Sequence, residues 1–425
     1  MSTVARIRRR AGPLLYPAVV NGGSLYRRTV GRRLRVVAVV GSLGKTTTTR
    51  AVAAALGVSI GRPAEMNANT PVGVGRALLG ARPWHRHAVI EAAINGPGQM
   101  RGHGQMLQPD IAVVTSIASD HWKSFRTLER TRDEKANMVR VLPRSGTAVL
   151  NADDPNVRWM ATQTKARVVL VGESLDADVR VTDIAIDWPH GTRFSAHIDG
   201  RIIPVATHLL GRHMVFPALA ALAVAHVEGV PLERAVAALA ELQPTYSRMQ
   251  LVPLADGAVI IRDDYKSSIE SYASAVEALA EIPAKRRLAV VGGLSESHGR
   301  GDYREVGTQL GAVVDQVVLV GPMDDLQACR SALVRAGLAR ENIRRVHNAR
   351  EAAELLGPEL REGDVVLTKG RQHQALARVA LALSGRDVQC RADPCPFKRM
   401  VCDLCPYLER PFDGRNVSPL APPRS

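Results

Sequence analysis

The chain has 425 residues, 46% of them hydrophobic and 23% charged, which is too long for one compact core and fits two or three globular units of ordinary size. Only 4% are aromatic, so the cores must be built from Val, Leu and Ala, and no stretch approaches the roughly 18 uninterrupted apolar residues of a membrane helix, which excludes a helical span. Lys and Arg outnumber Asp and Glu by 56 to 41, a formal charge of +15, and five cysteines are too few for a disulfide scaffold at this length.

Residues 1–34 read as a basic arm. From Met1 to Arg35 there are nine arginines and no acid. That charge suits an anionic membrane surface or a polyanionic substrate, and equally a solvated basic helix, because charge gives attraction without specificity. The following "AGPLLYPAVVNGGSLY" is broken by Pro, Gly and Asn, which argues against an export signal. The expected compartment is reducing and cytoplasmic, with peripheral membrane contact through the arm as one of its two open readings.

"VVAVVGSLGKTTTTRAVAAAL", Val36 to Leu56, reads as strand, turn and helix. The common phosphate loop opens with a glycine five residues before its Gly-Lys pair, and here that position is Val39. What remains, Gly41, Ser42, Leu43, Gly44, Lys45, Thr46 and Thr47, still suits phosphate. The glycines let backbone N–H groups approach oxygens, the helix directs its positive dipole end at them, Lys45 neutralises charge, and Thr46 offers a hydroxyl to Mg²⁺. ATP and Mg²⁺ are the expected cofactors.

β-rich runs and helical patterns then alternate to about Asp154, the mark of a parallel sheet covered by helices. "ADVRVTDIAIDWPHGTRFSAHIDGRIIPVAT" alternates differently and, with His-Gly and Asp-Gly turns, predicts an antiparallel appendage. Two helices split at Gly229-Val230-Pro231 follow, and a second α/β alternation begins near Met249. After Gly385 the pattern dissolves into Pro, Cys and Arg, and no internal repeat stands out. The expected architecture is α/β: a central P-loop ATPase-type domain over 35–245 with a mostly parallel sheet, a Rossmann-like C-terminal domain over 246–386, and a Cys/Pro-rich tail over 387–425.

The shortened loop with its run of threonines resembles the Mur ligase family, which makes amide bonds from a carboxylate, an amine and ATP. Further segments follow in the family's order. "NANTPVGVGRALL" (67–79) and "VIEAAINGPGQM" (89–100) are similar to the branch that adds D-alanyl-D-alanine to the muramyl tripeptide. "VVTSIASDHWKSF" carries Asp120-His121, "LERTRDEKANMV" carries Lys135, and "VLNADDP" (149–155) is nearly identical to the family's next strand end. "YSRMQLV" supplies Arg248 at the entry to the C-terminal domain.

The resemblance implies roles. Lys45 and Thr46 would hold the β,γ-phosphates and a first Mg²⁺, and Glu91 and His121 would help hold a second. Lys135 would be carbamylated by CO2, becoming a carboxylate-like metal ligand where a free ammonium would repel the ion. Such sites offset the repulsion of bringing a carboxylate to ATP. Arg248 and Asp263 are implied at the nucleotide. The C-terminal match is looser: Asp263, Tyr265 and Ser271 fit the family's Asp-x-Tyr-Asn-x-Asn-Pro-x-Ser, but Lys266, Ser268 and Ile269 replace its two Asn and its Pro. Tyr303 stands where His is common, and Lys369-Gly370 is not followed by Ser-Arg.

Muramyl ligases place a UDP-sugar-binding domain ahead of this loop, where this sequence has only the basic arm. The expectation is therefore an ADP- and phosphate-forming acid–amino-acid ligase acting on a carboxylate other than UDP-MurNAc-peptide. The alternatives are a D-alanyl-D-alanine-adding cell-wall ligase, a poly-γ-glutamate synthetase-like enzyme, or a non-catalytic ATP-binding partner. Nucleic-acid binding ranks last, since interleaved aromatics and a known module are missing. In the tail, Cys390, Cys395, Cys402 and Cys405 are spaced C-x4-C-x6-C-x2-C. They read either as a structural site for zinc or an iron–sulfur cluster, or as free or redox thiols in a flexible segment.

Overall fold

The computed structural model describes residues 17–59, 71–119, 122–295, 297–397 and 400–415. The chain divides into two units. The first comprises Met1–Ala185, Arg193–Thr207 and Met214–Leu242, and the second Ile186–Thr192, His208–His213 and Gln243–Ser425.

In chain order, residues 17–28 form helix α1, followed by β1 (Arg35–Val40), α2 (Lys45–Leu56), α3 (Pro71–Gly80), β2 (His87–Glu91) and α4 (Gln99–Leu107). Next come β3 (Ile111–Val114), α5 (Trp122–Phe125), α6 (Leu128–Arg140), β4 (Thr147–Asn151), α7 (Pro155–Arg158) and β5 (Arg167–Gly172). Strands β6 (Val179–Asp187), β7 (Gly191–Ile198) and β8 (Arg201–Thr207) precede helices α8 (Val215–Val227) and α9 (Leu232–Ala240).

The strands form one sheet in the order β2-β1-β3-β4-β5-β6-β7-β8. Pairing is parallel from β2 through to the β5–β6 contact. Val36–Val40 and Ile111–Val114 are fully buried, as strands covered on both faces must be, which is why they read as unbroken apolar runs. The expected appendage is present as β6 to β8. Asp199 and Gly200, both at positive φ (49° and 73°), make the two-residue turn that joins β7 to β8. Helix α8 is apolar on every side and nearly all buried, packed against α2 and the sheet.

Part of the basic arm belongs to this core. Val20 is buried, Tyr26 Oη donates to the carbonyl of Ala81, and the buried Arg27 donates to the carbonyls of Leu107 and Gly31 and to Asp110 Oδ2 at 2.8 Å. Arg35 pairs with Asp110 and with Glu228, which also accepts from buried His87. The acidic partners of Arg27 and Arg35, Asp110 and Glu228, lie 75 to 193 residues away in sequence. Arg6, Arg8, Arg9 and Arg10 lie outside the described residues.

The second unit contains β9 (Gln250–Pro253), β10 (Val259–Asp263), α10 (Ile269–Glu281), β11 (Arg286–Val291), α11 (Arg300–Gly311), β12 (Gln316–Val320) and α12 (Met323–Arg335). It continues with β13 (Ile343–Val346), α13 (Ala349–Leu356), β14 (Asp364–Lys369) and α14 (Ala377–Leu383). Its sheet runs β13-β12-β11-β14-β10-β9, parallel except for β9 against β10. The described tail residues pack on this unit. Arg262 of β10, 1% exposed, donates to Asp403 Oδ1 at 2.7 Å and Oδ2 at 2.9 Å. A flexible tail was one of the two sequence readings. A pair spanning 141 residues leaves no local pattern from which the packing could be read.

Candidate active site

In the first sheet β1 lies between β2 and β3, so successive connections leave it in opposite directions. Such a reversal opens a crevice at the carboxyl ends of the strands, and the loop after β1 lies there. Gly41 has φ +145°, and a Cβ on it would stand 1.9 Å from Thr115 Oγ1, so only glycine fits. Gly44, at φ +78°, ends the loop as the N-cap of α2 and carries no side-chain cap. The positive end of the α2 dipole is thereby directed at the loop.

The loop is fixed to the end of β3. Ser42 N donates to Ser116 O at 2.7 Å, Leu43 N to Ser116 Oγ at 3.1 Å, and Ala118 N to Ser42 Oγ at 2.9 Å. Lys45, 6% exposed, turns back so that Nζ donates to the carbonyls of Gly41 at 2.9 Å and Ser42 at 2.8 Å. Thr46 Oγ1 donates to Glu91 Oε2 at 2.8 Å, because β2 pairs with β1 in a register that sets Glu91 opposite Val39. Lys135 reaches in from α6, only 1% exposed, and Nζ donates to Ser42 Oγ at 2.7 Å.

Gly41, Ser42, Gly44, Lys45, Thr46, Glu91 and Lys135 therefore share one place, with Thr47 buried on the adjoining turn of α2. His121 lies outside the described residues. Arg248 and Asp263 belong to the second unit. There Asp263, at the end of β10, forms an ion pair with fully buried Lys369 at the end of β14, and the Arg248 guanidinium stacks 4.9 Å from the Tyr265 ring. Tyr272 Oη donates to the carbonyl of Lys369 at 3.0 Å. Burial holds His213 down to about 4, with Lys369 adding to the effect and Asp263 opposing it. Tyr303 is buried and accepts the Leu294 N–H at 3.1 Å, a role in shaping the loop after β11.

Several positioning groups escaped the sequence reading. Glu134, next to Lys135, accepts from the amides of Gly98 (2.9 Å) and Met100 (2.8 Å) and so caps α4 at the Pro-Gly turn. Asn151 Nδ2 donates to the Thr115 carbonyl at 2.9 Å, and Asp154 Oδ2 accepts from Ile117 N at 2.7 Å. Together they hold the segment against which the loop packs. Both lie in "VLNADDP", whose match to the family was the available signal.

An oxygen pair at Thr46–Glu91, buried ammonium groups converging on Ser42 and a helix N-terminus that no side chain caps suit a magnesium–triphosphate. The fold and site define a two-unit α/β nucleotide-binding protein with a shortened phosphate loop. Residues 39–225 match the Mur ligase middle domain, and residues 247–372 match the Mur ligase, glutamate ligase domain. The UDP-N-acetylmuramoyl-tripeptide–D-alanyl-D-alanine ligase of Mycobacterium tuberculosis strain H37Rv is 31% identical over 377 residues, covering 83% of this chain and 74% of that protein. The crystal structure of MurF from Acinetobacter baumannii superposes with a TM-score of 0.75 at 24% identity, over 87% of this chain and 81% of that one. MurF ligase from Thermotoga maritima in complex with ADP gives 0.74 at 24% identity, over 86% and 83%. The chain belongs to the Mur ligase family, whose members are ATP-dependent amide-forming ligases.

Proposed function

We propose that this protein joins a carboxylate to an amine through an acyl phosphate, and that its carboxylate substrate is not a UDP-N-acetylmuramoyl peptide. The gathering of Lys45, Thr46, Glu91 and Lys135 around loop 41–46 carries the ligase reading. A substrate carboxylate oxygen attacks the γ-phosphorus of ATP, and the bond to the ADP oxygen breaks. The amine lone pair then attacks the acyl carbon, the bond to phosphate breaks, and the nitrogen gives its proton to solvent. The amides of the loop and Lys45 bind the phosphates and offset their charge.

Thr46 and Glu91 would hold Mg²⁺, with His121 and carbamylated Lys135 as further ligands; the ion supplies charge neutralisation between carboxylate and triphosphate. The carbamate reverses the sign of Lys135, so the buried side chain attracts an ion rather than repelling it.

Support for a different carboxylate comes from the second unit, where Lys266, Ser268 and Ile269 replace the family's Asn, Asn and Pro, and Arg371-Gln372 follows Lys369-Gly370. Ser268 caps α10 by accepting the Ser271 N–H, and Lys266 brings a cation to the turn after β10. A phosphate-release screen over amino acids, dipeptides and simple carboxylates, with mass analysis of products, tests this. ATP cleavage dependent on one such pair is expected, and no release with any pair would overturn it. The 31% identity to a tripeptide–D-alanyl-D-alanine ligase favours a second reading, addition of D-Ala-D-Ala to UDP-MurNAc-tripeptide. Turnover of that pair would replace the first.

A further inference from the structure

Outside the ligase site, four of the five cysteines converge on one place in the second unit. Cys390, Cys395, Cys402 and Cys405 line a single cavity of about 10 Å³ beside α14. A space of that size admits one ion or one water and not a four-iron cluster. The cysteines stand in a short repeat that the sequence reading passed over: Asp393-Pro394-Cys395-Pro396-Phe397 and, ten residues on, Asp403-Leu404-Cys405-Pro406-Tyr407.

The two copies do the same things. The sulfur of Cys395 accepts the Phe397 N–H and that of Cys405 accepts the Tyr407 N–H. The two rings stack with centroids 5.5 Å apart. Each Asp faces a buried guanidinium, Asp403 that of Arg262 and Asp393 that of Arg378.

Arg378 is 7% exposed, lines the cavity, and has an Nε without a hydrogen-bond partner. Arg262 already has two carboxylates, Asp264 at 3.6 Å and Asp403 at 2.7 Å, whereas Asp393 is the carboxylate beside Arg378. A tetrathiolate around a divalent ion carries two further negative charges where Arg378 needs them.

We propose that Cys390, Cys395, Cys402 and Cys405 form a closed tetrathiolate site for one thiophilic divalent cation of the zinc class, which fastens residues 387–415 to the second unit. Among the described residues no group of three or more His, Cys, Asp or Glu already stands at metal-holding spacing. Loading therefore turns the sulfurs inward on a backbone that is already folded. Each thiol passes its proton to solvent as its bond to the ion forms. The site braces β10, since Arg262 holds Asp403 on one side and adjoins Asp263 on the other.

The test is metal analysis of the full chain after reconstitution with zinc, together with the absorption spectrum of its cobalt form. About one zinc per chain and a tetrahedral cobalt–thiolate spectrum are expected. The double variant Cys402→Ser, Cys405→Ser should lose both signals, and Cys329→Ser, a buried cysteine away from the cavity, should keep them. Chelation of the wild-type protein should raise protease cleavage within 387–415, a readout that does not need the variants to fold. Wild-type protein that takes up neither ion, an iron–sulfur chromophore, disulfides detected by mass, or zinc retained in the double variant would each overturn the site. None of these outcomes bears on ATP chemistry.

Discussion

Ser42 is the residue on which the candidate active site turns. Its carbonyl accepts from Lys45, its hydroxyl from Lys135, and its amide is tied to Ser116, so one small residue registers two cations against the loop. Lys135→Ala should lower turnover by roughly 100-fold or more, as loss of a charged group at a phosphoryl-transfer site does. Added formate should restore part of the rate by supplying the missing carboxylate, and full activity in the alanine variant would remove Lys135 from the mechanism. Gly41→Ala tests the loop itself. The new methyl meets Thr115 Oγ1 and a positive φ, so a loss of about 1–3 kcal/mol in a urea titration and weaker ATP binding by calorimetry are expected. Loop spacing pointed to Lys45 in the sequence, and the family resemblance pointed to Glu91 and Lys135. The role of Ser42 was not legible, because what it does is set by the segment after β3 and by α6, brought to it from 76 and 93 residues away.

At the scale of elements, strand and helix placement followed the apolar runs closely, and the antiparallel appendage announced itself through its turn residues. What stayed hidden were pairings between distant elements. Arg262 in β10 looks like a polar interruption of an apolar strand. In the fold it is enclosed by Asp264, Ser247 and Asp403, and although burial opposes its charge, those carboxylates hold it charged. Arg262→Ala leaves buried carboxylates without a counter-ion and should cost about 3–5 kcal/mol in the unfolding of the second unit. Arg262→Ala with Asp403→Ala should cost less than the two single changes added together. Strict additivity by denaturant titration would show that the pair is not coupled.

For the molecule as a whole, each unit holds a histidine that desolvation keeps neutral, buried His103 in α4 and half-buried His213 before α8, both lowered to about 4. Since the unfolded chain titrates near 6.5, it takes up protons first as pH falls, so stability should decline from about pH 6.5 towards pH 4. Glu228 acts lower down: held at about 2 by His87 and Arg35, it contributes stability that fades as pH drops through 4. Urea midpoints measured at pH 7.5, 5.5 and 4.5 check this, and His103→Gln should flatten the upper part of the curve. A flat wild-type profile would contradict it.

The helix at 17–28 changes what can be done with the N-terminus. Val19 lies against Gly75, Gly23 against Met106, and Arg27 plugs the carbonyls of Leu107 and Gly31 while facing Asp110. Anyone trimming the arginine-rich start as if it were a detachable tether would pull a wedge from between α3 and α4. The shortened protein would be left with Asp110 short of one of its two guanidinium partners and with an open apolar seam.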